Sequence, residues 1–168
     1  MRAGHAPAQA GGNLARAGTT RIGDITVARS FARRALPWVS GFFVACALLQ
    51  VFLAGLGVFD NPASFLTHRD FGYTIGMLTL VILVLALVGR EPKRIVGLSA
   101  LLLVQFALQS IFILQRGSNN AVAALHPVNG FLILLVAVLI TRWSWAERHA
   151  PVASSEASSP AHAVDATA

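Results

Sequence analysis

Residues 71–89 read FGYTIGMLTLVILVLALVG, an apolar run that contains no Lys, Arg, Asp or Glu. Comparable uncharged runs cover residues 38–59, 95–115 and 121–140. A helix needs about 20 apolar residues to cross a bilayer, and it satisfies its own backbone hydrogen bonds, which lipid does not do. The four runs therefore predict an all-α membrane protein, folded as a four-transmembrane-helix bundle.

The composition supports this prediction and excludes several classes of protein. Of the 168 residues, 55% are hydrophobic and only 12% are charged, whereas an average soluble domain is about 25% charged. The single cysteine, Cys46, excludes an intrachain disulfide and a cysteine-based metal site. The sequence also contains no phosphate-binding glycine loop, no nucleophile elbow and no zinc-protease helix motif.

The positive charges predict the orientation in the membrane. Eleven of the 13 basic residues lie before the first run, between the second and third runs, or after the fourth run. The other two connections contain only Arg69 and Arg116. By the positive-inside rule, both termini are expected in the cytoplasm, with the protein in a bacterial inner (plasma) membrane. The net charge of +6 then reflects topology, and no nucleic-acid partner is expected.

The chain divides into three segments by composition. Residues 1–35 are expected to form a disordered basic tail, residues 36–145 the membrane domain, and residues 146–168 a second disordered tail. Neither tail is apolar enough to offset the entropy cost of ordering. The stretch from Ile22 to Arg34 is either a solvated part of the first tail or a weak contact with anionic lipid.

Cap residues suggest where two of the helices begin. Asp60, Asn61 and Pro62 predict that the second helix begins near Pro62. Asn119 or Asn120 is expected to cap the fourth helix. Pro127 then falls within that helix, where its missing N–H donor is expected to bend the backbone.

The two halves of the chain resemble each other. Each half contains a glutamine on its first helix and a His-x-x-x-Gly motif at the start of its second helix. The two sets are Gln50, His68 and Gly72, then Gln105, His126 and Gly130. This predicts two similar hairpins related by a pseudo-twofold axis along the membrane normal. The alternative is a chance similarity between apolar helices.

The paired histidines predict a cofactor site. His68 and His126 lie at matching depth on the outer side of two helices that run in the same direction. In each case a glycine four residues later, Gly72 or Gly130, lies on the same helix face. Neutral imidazole is a good ligand for haem iron, and a helix bundle can hold the porphyrin in its core. The prediction is haem b with His68 and His126 as its two metal ligands.

Other polar residues are expected around this site. Arg69 and Arg116 are the only cations on the outer side and are predicted to pair with the haem propionates. Four further residues are expected to support the site, namely Thr67, Tyr73, Gln109 and Asn129. The predicted role is membrane electron transfer or haem handling, and whether the protein is an enzyme stays open.

Two alternatives do not involve a cofactor. The histidines can instead hydrogen-bond neighbouring helices while Gly72 and Gly76 pack two helices together, as in a structural or accessory membrane subunit. A small transporter that uses a glutamine-lined core is the less favoured alternative. No acidic residue lies in the middle of an apolar run, so a transporter would lack the usual carboxylate proton relay.

The motifs also resemble those of known families. Leu49-Gln50-x-x-x-Ala54-Gly55, His68-Arg69-x-x-Gly72 and His126 resemble one four-helix half of haem A synthase. The resemblance implies that His68 and His126 are a haem-ligand pair. The chain has only one such half and lacks the acidic residue expected before the histidine on helix two, so oxygenase chemistry is not implied.

A closer resemblance is to a group of small, uncharacterised four-span bacterial membrane proteins. These share the His-Arg-x-x-Gly and His-Pro-x-x-Gly marks at His68 and His126. This resemblance implies the architecture but no assigned activity. The expected partners are the lipid bilayer and either a second copy of the chain or a membrane redox protein.

Overall fold

The computed structural model describes the backbone of residues 10–149 and the side chains of residues 23–149. Within this part the chain is helical and contains no strand. The helices are α1 (Ala10–Phe59), α2 (Ser64–Val88), α3 (Lys93–Leu114), α4 (Asn120–Ala123) and α5 (Leu125–His149).

Four segments are long and apolar enough to cross a membrane. They are Gly23–Phe59, Ser64–Val88, Lys93–Leu114 and Asn120–His149. The predicted all-α membrane fold with four long helices is therefore confirmed, and the chain is a multi-pass membrane protein.

The long helices form a ring in the order α1, α2, α3, α5. Each of them contacts its two neighbours in this ring, and α5 closes the ring against α1. Consequently α2 and α5 lie diagonally across the bundle from each other. We call the end where α2 and α5 begin the histidine end, and the end where the chain turns from α2 into α3 the Glu91 end.

The apolar core occupies the half of the bundle nearer the Glu91 end. Its fully buried side chains come from all four long helices and include Leu36, Phe43, Ile82, Leu102 and Ile140. Four buried hydroxyl groups donate to carbonyl groups of their own helix, so none of these hydroxyls is unpaired and the helices can approach closely. These hydroxyls belong to Ser40, Thr79, Ser99 and Ser144.

Helix α1 extends further than the sequence predicts. It begins at Ala10, inside the segment predicted as a disordered tail. The last turns before the first apolar run are fixed by packing, since Ala32 and Leu36 are buried and Arg33 pairs with Glu91. Helix α5 likewise continues to His149, past the predicted boundary at 145. The tail predictions for residues 1–9 and 150–168 lie outside the described residues.

The start of α2 is close to its predicted position. The Asn61 side-chain oxygen accepts a hydrogen bond from the backbone N–H of Ala63 at 2.9 Å. Helix α2 then begins at Ser64, two residues after Pro62. The turn formed by Asp60, Asn61 and Pro62 therefore leads directly into α2, as the sequence predicts.

A break in the last span separates α4 from α5. The Asn119 side chain accepts from the backbone N–H of Val122 at 3.2 Å and caps α4, as predicted. Helix α4 ends at Ala123, four residues before Pro127. A proline cannot donate to the carbonyl four residues earlier, and its ring crowds that carbonyl. Pro127 therefore accounts for the break and sets the direction in which α5 enters the bundle.

Candidate functional site

A cavity of about 770 Å³ lies at the histidine end. Side chains from α1, α2, α3 and α5 line it, and most of them are apolar. All six residues predicted to bind a cofactor line this one cavity, namely His68, Arg69, Gly72, Arg116, His126 and Gly130. The bundle is thus closely packed in one half and open in the other, and the predicted residues gather in the open half.

His68 and His126 face each other across the bundle. Their ring centres are 6.2 Å apart, and the ring planes are inclined at 70°. Because α2 and α5 are diagonal helices, only side chains bridge the distance between them. Both imidazoles are partly buried.

A backbone carbonyl on a neighbouring helix orients each imidazole. His68 Nδ1 donates to the carbonyl oxygen of Gln50 at 3.0 Å, and His126 Nδ1 donates to that of Gln109 at 3.3 Å. A carbonyl oxygen only accepts hydrogen bonds, so Nδ1 carries the proton in both rings. In the neutral imidazole this leaves Nε2 with its lone pair free.

The two glutamines also contact the glycines that follow the histidines. A Cβ atom added at Gly72 would lie 2.5 Å from Nε2 of Gln50, and one added at Gly130 would lie 3.4 Å from Nε2 of Gln109. Each glutamine therefore contacts a histidine and the glycine one turn later. The partner of His126 is Gln109, whereas the sequence similarity between the two halves pairs Gln50 with Gln105.

Asn129 fixes the position of the Gln109 side chain. Its amide nitrogen donates to the Gln105 carbonyl oxygen at 2.8 Å and to Oε1 of Gln109 at 2.9 Å. Asn129 is itself buried. The first half of the chain has no equivalent bond to Gln50 within the described residues, and Oε1 of Gln50 is buried without a hydrogen-bond partner.

The two predicted cations lie at the exposed edge of the cavity in different states. Arg69 pairs with Asp70 at 2.8 Å, while Arg116 has no ion pair among the described residues. Arg116 is therefore the guanidinium more available to an anionic group. Of the four supporting residues predicted, Tyr73 and Gln109 line the cavity, whereas Thr67 and Asn129 do not.

Among the described residues that line the cavity, His68 and His126 are the His, Cys, Asp or Glu side chains. Within residues 23–149 no three His, Cys, Asp or Glu side chains come together. A metal ion bound wholly by protein side chains therefore has no ligand set here.

A second polar cluster lies at the Glu91 end, away from the cavity. The Glu91 side chain is only 3% exposed, its Oε1 lies 3.6 Å from Nε of Arg33, and its Oε2 has no partner. Burial raises the pKa of Glu91, and the charge of Glu147 raises it further. Arg33 and Arg29 oppose this effect. The pair joins the turn between α2 and α3 to α1.

Sequence reasoning does not single out Glu91 or the cavity-lining Ser110. Glu91 is the only acidic residue among the three basic residues of the central loop, and that isolation was the available signal. Ser110 carries no signal, because a hydroxyl in an apolar helix usually bonds to its own backbone.

Comparison with known proteins adds one finding. Residues 50–115 match the model of a family of unknown function, DUF6220. The match includes Gln50, His68 and Gln109 and ends before His126. It agrees with the predicted similarity to an uncharacterised family. No curated protein and no solved structure matches the chain, so these comparisons do not support the predicted resemblance to haem A synthase.

Proposed function

We propose that this membrane protein binds one b-type haem between α2 and α5, with His68 and His126 as its axial ligands. The observation that carries the proposal is the 6.2 Å separation of the two ring centres. Two imidazoles that ligate one iron have centres about 6 Å apart, because each metal–nitrogen bond is about 2 Å and each nitrogen lies about 1 Å from its ring centre. The two side-chain rings already lie at this separation.

The hydrogen bonds at Nδ1 support the same proposal. Iron-ligating histidines use one ring nitrogen for the metal and usually donate the other N–H to a carbonyl or carboxylate, which fixes the ring and its tautomer. The carbonyl groups of Gln50 and Gln109 serve this role for His68 and His126. In the neutral form, both rings thus direct their Nδ1 proton to a helix backbone, and Nε2 is the nitrogen with the free lone pair.

The cavity fits a large flat cofactor in size and chemistry. Its volume of about 770 Å³ lies within the range of about 300–1,000 Å³ that is usual for cofactor sites. Gly72 and Gly130, one turn after each histidine, leave room for the side chains of Gln50 and Gln109, which form part of the cavity wall. Apolar side chains such as Phe43, Phe106 and Ile133 exclude water from the inner wall of the cavity.

The exposed edge of the cavity suits the carboxylates of such a cofactor. Arg116 is available for a bidentate guanidinium–carboxylate pair, and Arg69 can contribute after sharing or releasing Asp70. When bound, haem would supply one-electron transfer or be the cargo of a haem-handling step. The chain's own residues hold the two imidazoles, bind the carboxylates and keep the site dry.

Further parts of the proposal concern the setting of the protein. We place it in a bacterial inner membrane with both termini in the cytoplasm, so the histidine end faces outward. The support is the distribution of basic residues. The paired contacts Gln50–His68 and Gln109–His126 support two similar hairpins. A membrane redox protein or a second copy of the chain is the proposed partner.

The test is optical spectroscopy of the purified full-length protein, supplied with haem in detergent. The reduced-minus-oxidised spectrum is expected to show a six-coordinate haem. His68→Ala and His126→Ala are each expected to abolish that six-coordinate signal. His149→Ala is the matched control, because His149 is exposed and stacks on Trp145 far from the cavity.

Two results would overturn the proposal. One is a wild-type protein that stays colourless after haem is supplied. The other is a spectrum that the His68→Ala and His126→Ala variants leave unchanged. Either result favours the accessory-subunit alternative, in which the same two histidines only cross-link helices through their hydrogen bonds.

A further inference from the structure

We propose a second binding site, at the Glu91 end, for the phosphate-bearing headgroup of an anionic phospholipid. This inference goes beyond the proposed haem site and does not depend on it. A pocket of about 370 Å³ lies between α1 and α5 at this end. Its lining consists of Ser30, Arg33, Arg34, Glu147 and Arg148.

The charges of the pocket select an anion. Three guanidinium groups and one carboxylate line it. The carboxylate of Glu147 already pairs with Arg94, and Arg33 is held by Glu91. Arg34 and Arg148 have no carboxylate partner among the side chains of residues 23–149. Two guanidinium groups therefore remain to bind an anion, and guanidinium groups match phosphate oxygens in bidentate geometry.

Tryptophans place this pocket at the depth of lipid headgroups. The rings of Trp38 and Trp145 contact each other with centres 5.0 Å apart, and Arg148 lies over the Trp145 ring at 4.9 Å. Tryptophan is enriched at the membrane–water interface. Arg34 precedes Trp38 by four residues, which is about 6 Å along a helix, towards water. The pocket thus lies just outside the aromatic layer, where phosphate groups of lipids are found.

The surface beside the pocket suits the rest of a lipid. Trp38 and Phe42 on α1 are more than half exposed and continue from the pocket towards the centre of the membrane. Acyl chains can lie against these rings while the headgroup contacts Arg34 and Arg148. Basic pockets between transmembrane helices bind anionic headgroups in this way. This favours a lipid over a free phosphate ion, which would use the guanidinium groups alone.

Intrinsic tryptophan fluorescence gives a local readout of binding. All three tryptophans of the chain, Trp38, Trp143 and Trp145, lie at the Glu91 end. The full-length protein in a neutral detergent would be titrated separately with dioctanoyl phosphatidylglycerol, dioctanoyl phosphatidylcholine and inorganic phosphate. We expect saturable binding of the phosphatidylglycerol, and binding at least about tenfold weaker for each of the other two probes.

A pair of double variants separates a site from general attraction to positive charge. Arg34→Gln with Arg148→Gln is expected to weaken phosphatidylglycerol binding by about tenfold or more. The control is Arg90→Gln with Arg142→Gln. Both residues are exposed and lie at the same end, but they do not line the pocket, and their substitution removes the same amount of positive charge. The control is expected to change binding by no more than about twofold.

Three outcomes would overturn the proposal. Equal losses in the two double variants would mean diffuse attraction without a site. Inorganic phosphate that binds as tightly as the phosphatidylglycerol would make a free anion the ligand. Equal binding of phosphatidylcholine would show that the pocket does not select an anionic headgroup. A circular dichroism spectrum of each variant verifies that it is folded.

Discussion

Replacement of Gly72 by alanine tests the close contact between Gly72 on α2 and the Gln50 side chain on α1. The added Cβ would lie 2.5 Å from Nε2 of Gln50, closer than two such atoms can approach, so the glutamine amide must move. Overpacking costs about 1–3 kcal/mol in general, and the lower end applies here because the displaced atom is the end of a flexible side chain. Alanine is also the better helix former by about 1 kcal/mol. The two effects of Gly72→Ala on the unfolding free energy therefore nearly cancel, to within about 1 kcal/mol.

Two matched variants isolate the packing term. At Gly97 a Cβ meets nothing within 4 Å, and at Gly130 it meets only Nε2 of Gln109 at 3.4 Å. Gly97→Ala measures the intrinsic preference for alanine in the same micelle, and Gly130→Ala is expected to follow it closely. Relative to Gly97→Ala, we expect Gly72→Ala to be less stable by about 1 kcal/mol, the lower end of the overpacking range.

The assay is unfolding in mixed micelles with increasing sodium dodecyl sulfate, followed by helical circular dichroism and performed without haem. We expect Gly97→Ala and Gly130→Ala to have similar unfolding free energies and Gly72→Ala to have a lower one. If Gly72→Ala were as stable as Gly97→Ala, the close contact between Gly72 and Gln50 would be refuted. If Gly130→Ala fell together with Gly72→Ala, the difference between the two halves would be refuted.

Three further predictions concern other parts of the chain. Asn129→Ala removes both hydrogen bonds of the Asn129 side chain and leaves Oε1 of Gln109 without a partner. We therefore expect the unfolding free energy to fall by about 1–3 kcal/mol in the same assay. A stability equal to wild type would contradict this hydrogen-bond network. Burial raises the pKa of Glu91, so its stabilising contribution is present at low pH, where the folded and unfolded forms are both protonated, and is lost as pH rises through the folded-state pKa. The melting temperature should therefore fall more for wild type than for Glu91→Gln when the pH is raised from acidic to neutral. If the melting temperatures of the two proteins changed equally with pH, the predicted contribution of Glu91 would be refuted. Reporter fusions at the two termini should both report the cytoplasm, and a periplasmic signal from either would disprove the proposed orientation.

The long helices were predictable because their signal is local. Each uncharged run is long enough to span a bilayer, and Asn119 and Pro127 act on backbone groups within four residues. The extension of α1 towards Ala10 was not predictable in the same way. The turns around Arg33 contact the turn between α2 and α3 through Glu91, and no local sequence pattern encodes this contact between residues far apart in the chain.

The sequence predicts which two histidines approach each other, but it does not predict which glutamine contacts His126. Equal depth on parallel helices was enough to bring His68 and His126 together, since depth follows from helix length alone. Whether Gln105 or Gln109 is the partner of His126 could not be predicted in this way. These two residues are four apart and lie on the same face of α3, so packing and the break before Leu125 decide which of them meets the histidine.

The most direct test of the central claim is a titration of the purified apo-protein with haemin in detergent, followed by electron paramagnetic resonance of the ferric complex. We predict saturation at one haem per chain and a low-spin ferric signal, because two imidazole nitrogens complete the coordination of the iron. The double variant His68→Ala with His126→Ala should bind no haem in this form, while His149→Ala should match wild type. A high-spin signal, or a titration without saturation, would contradict bis-histidine haem binding at this site.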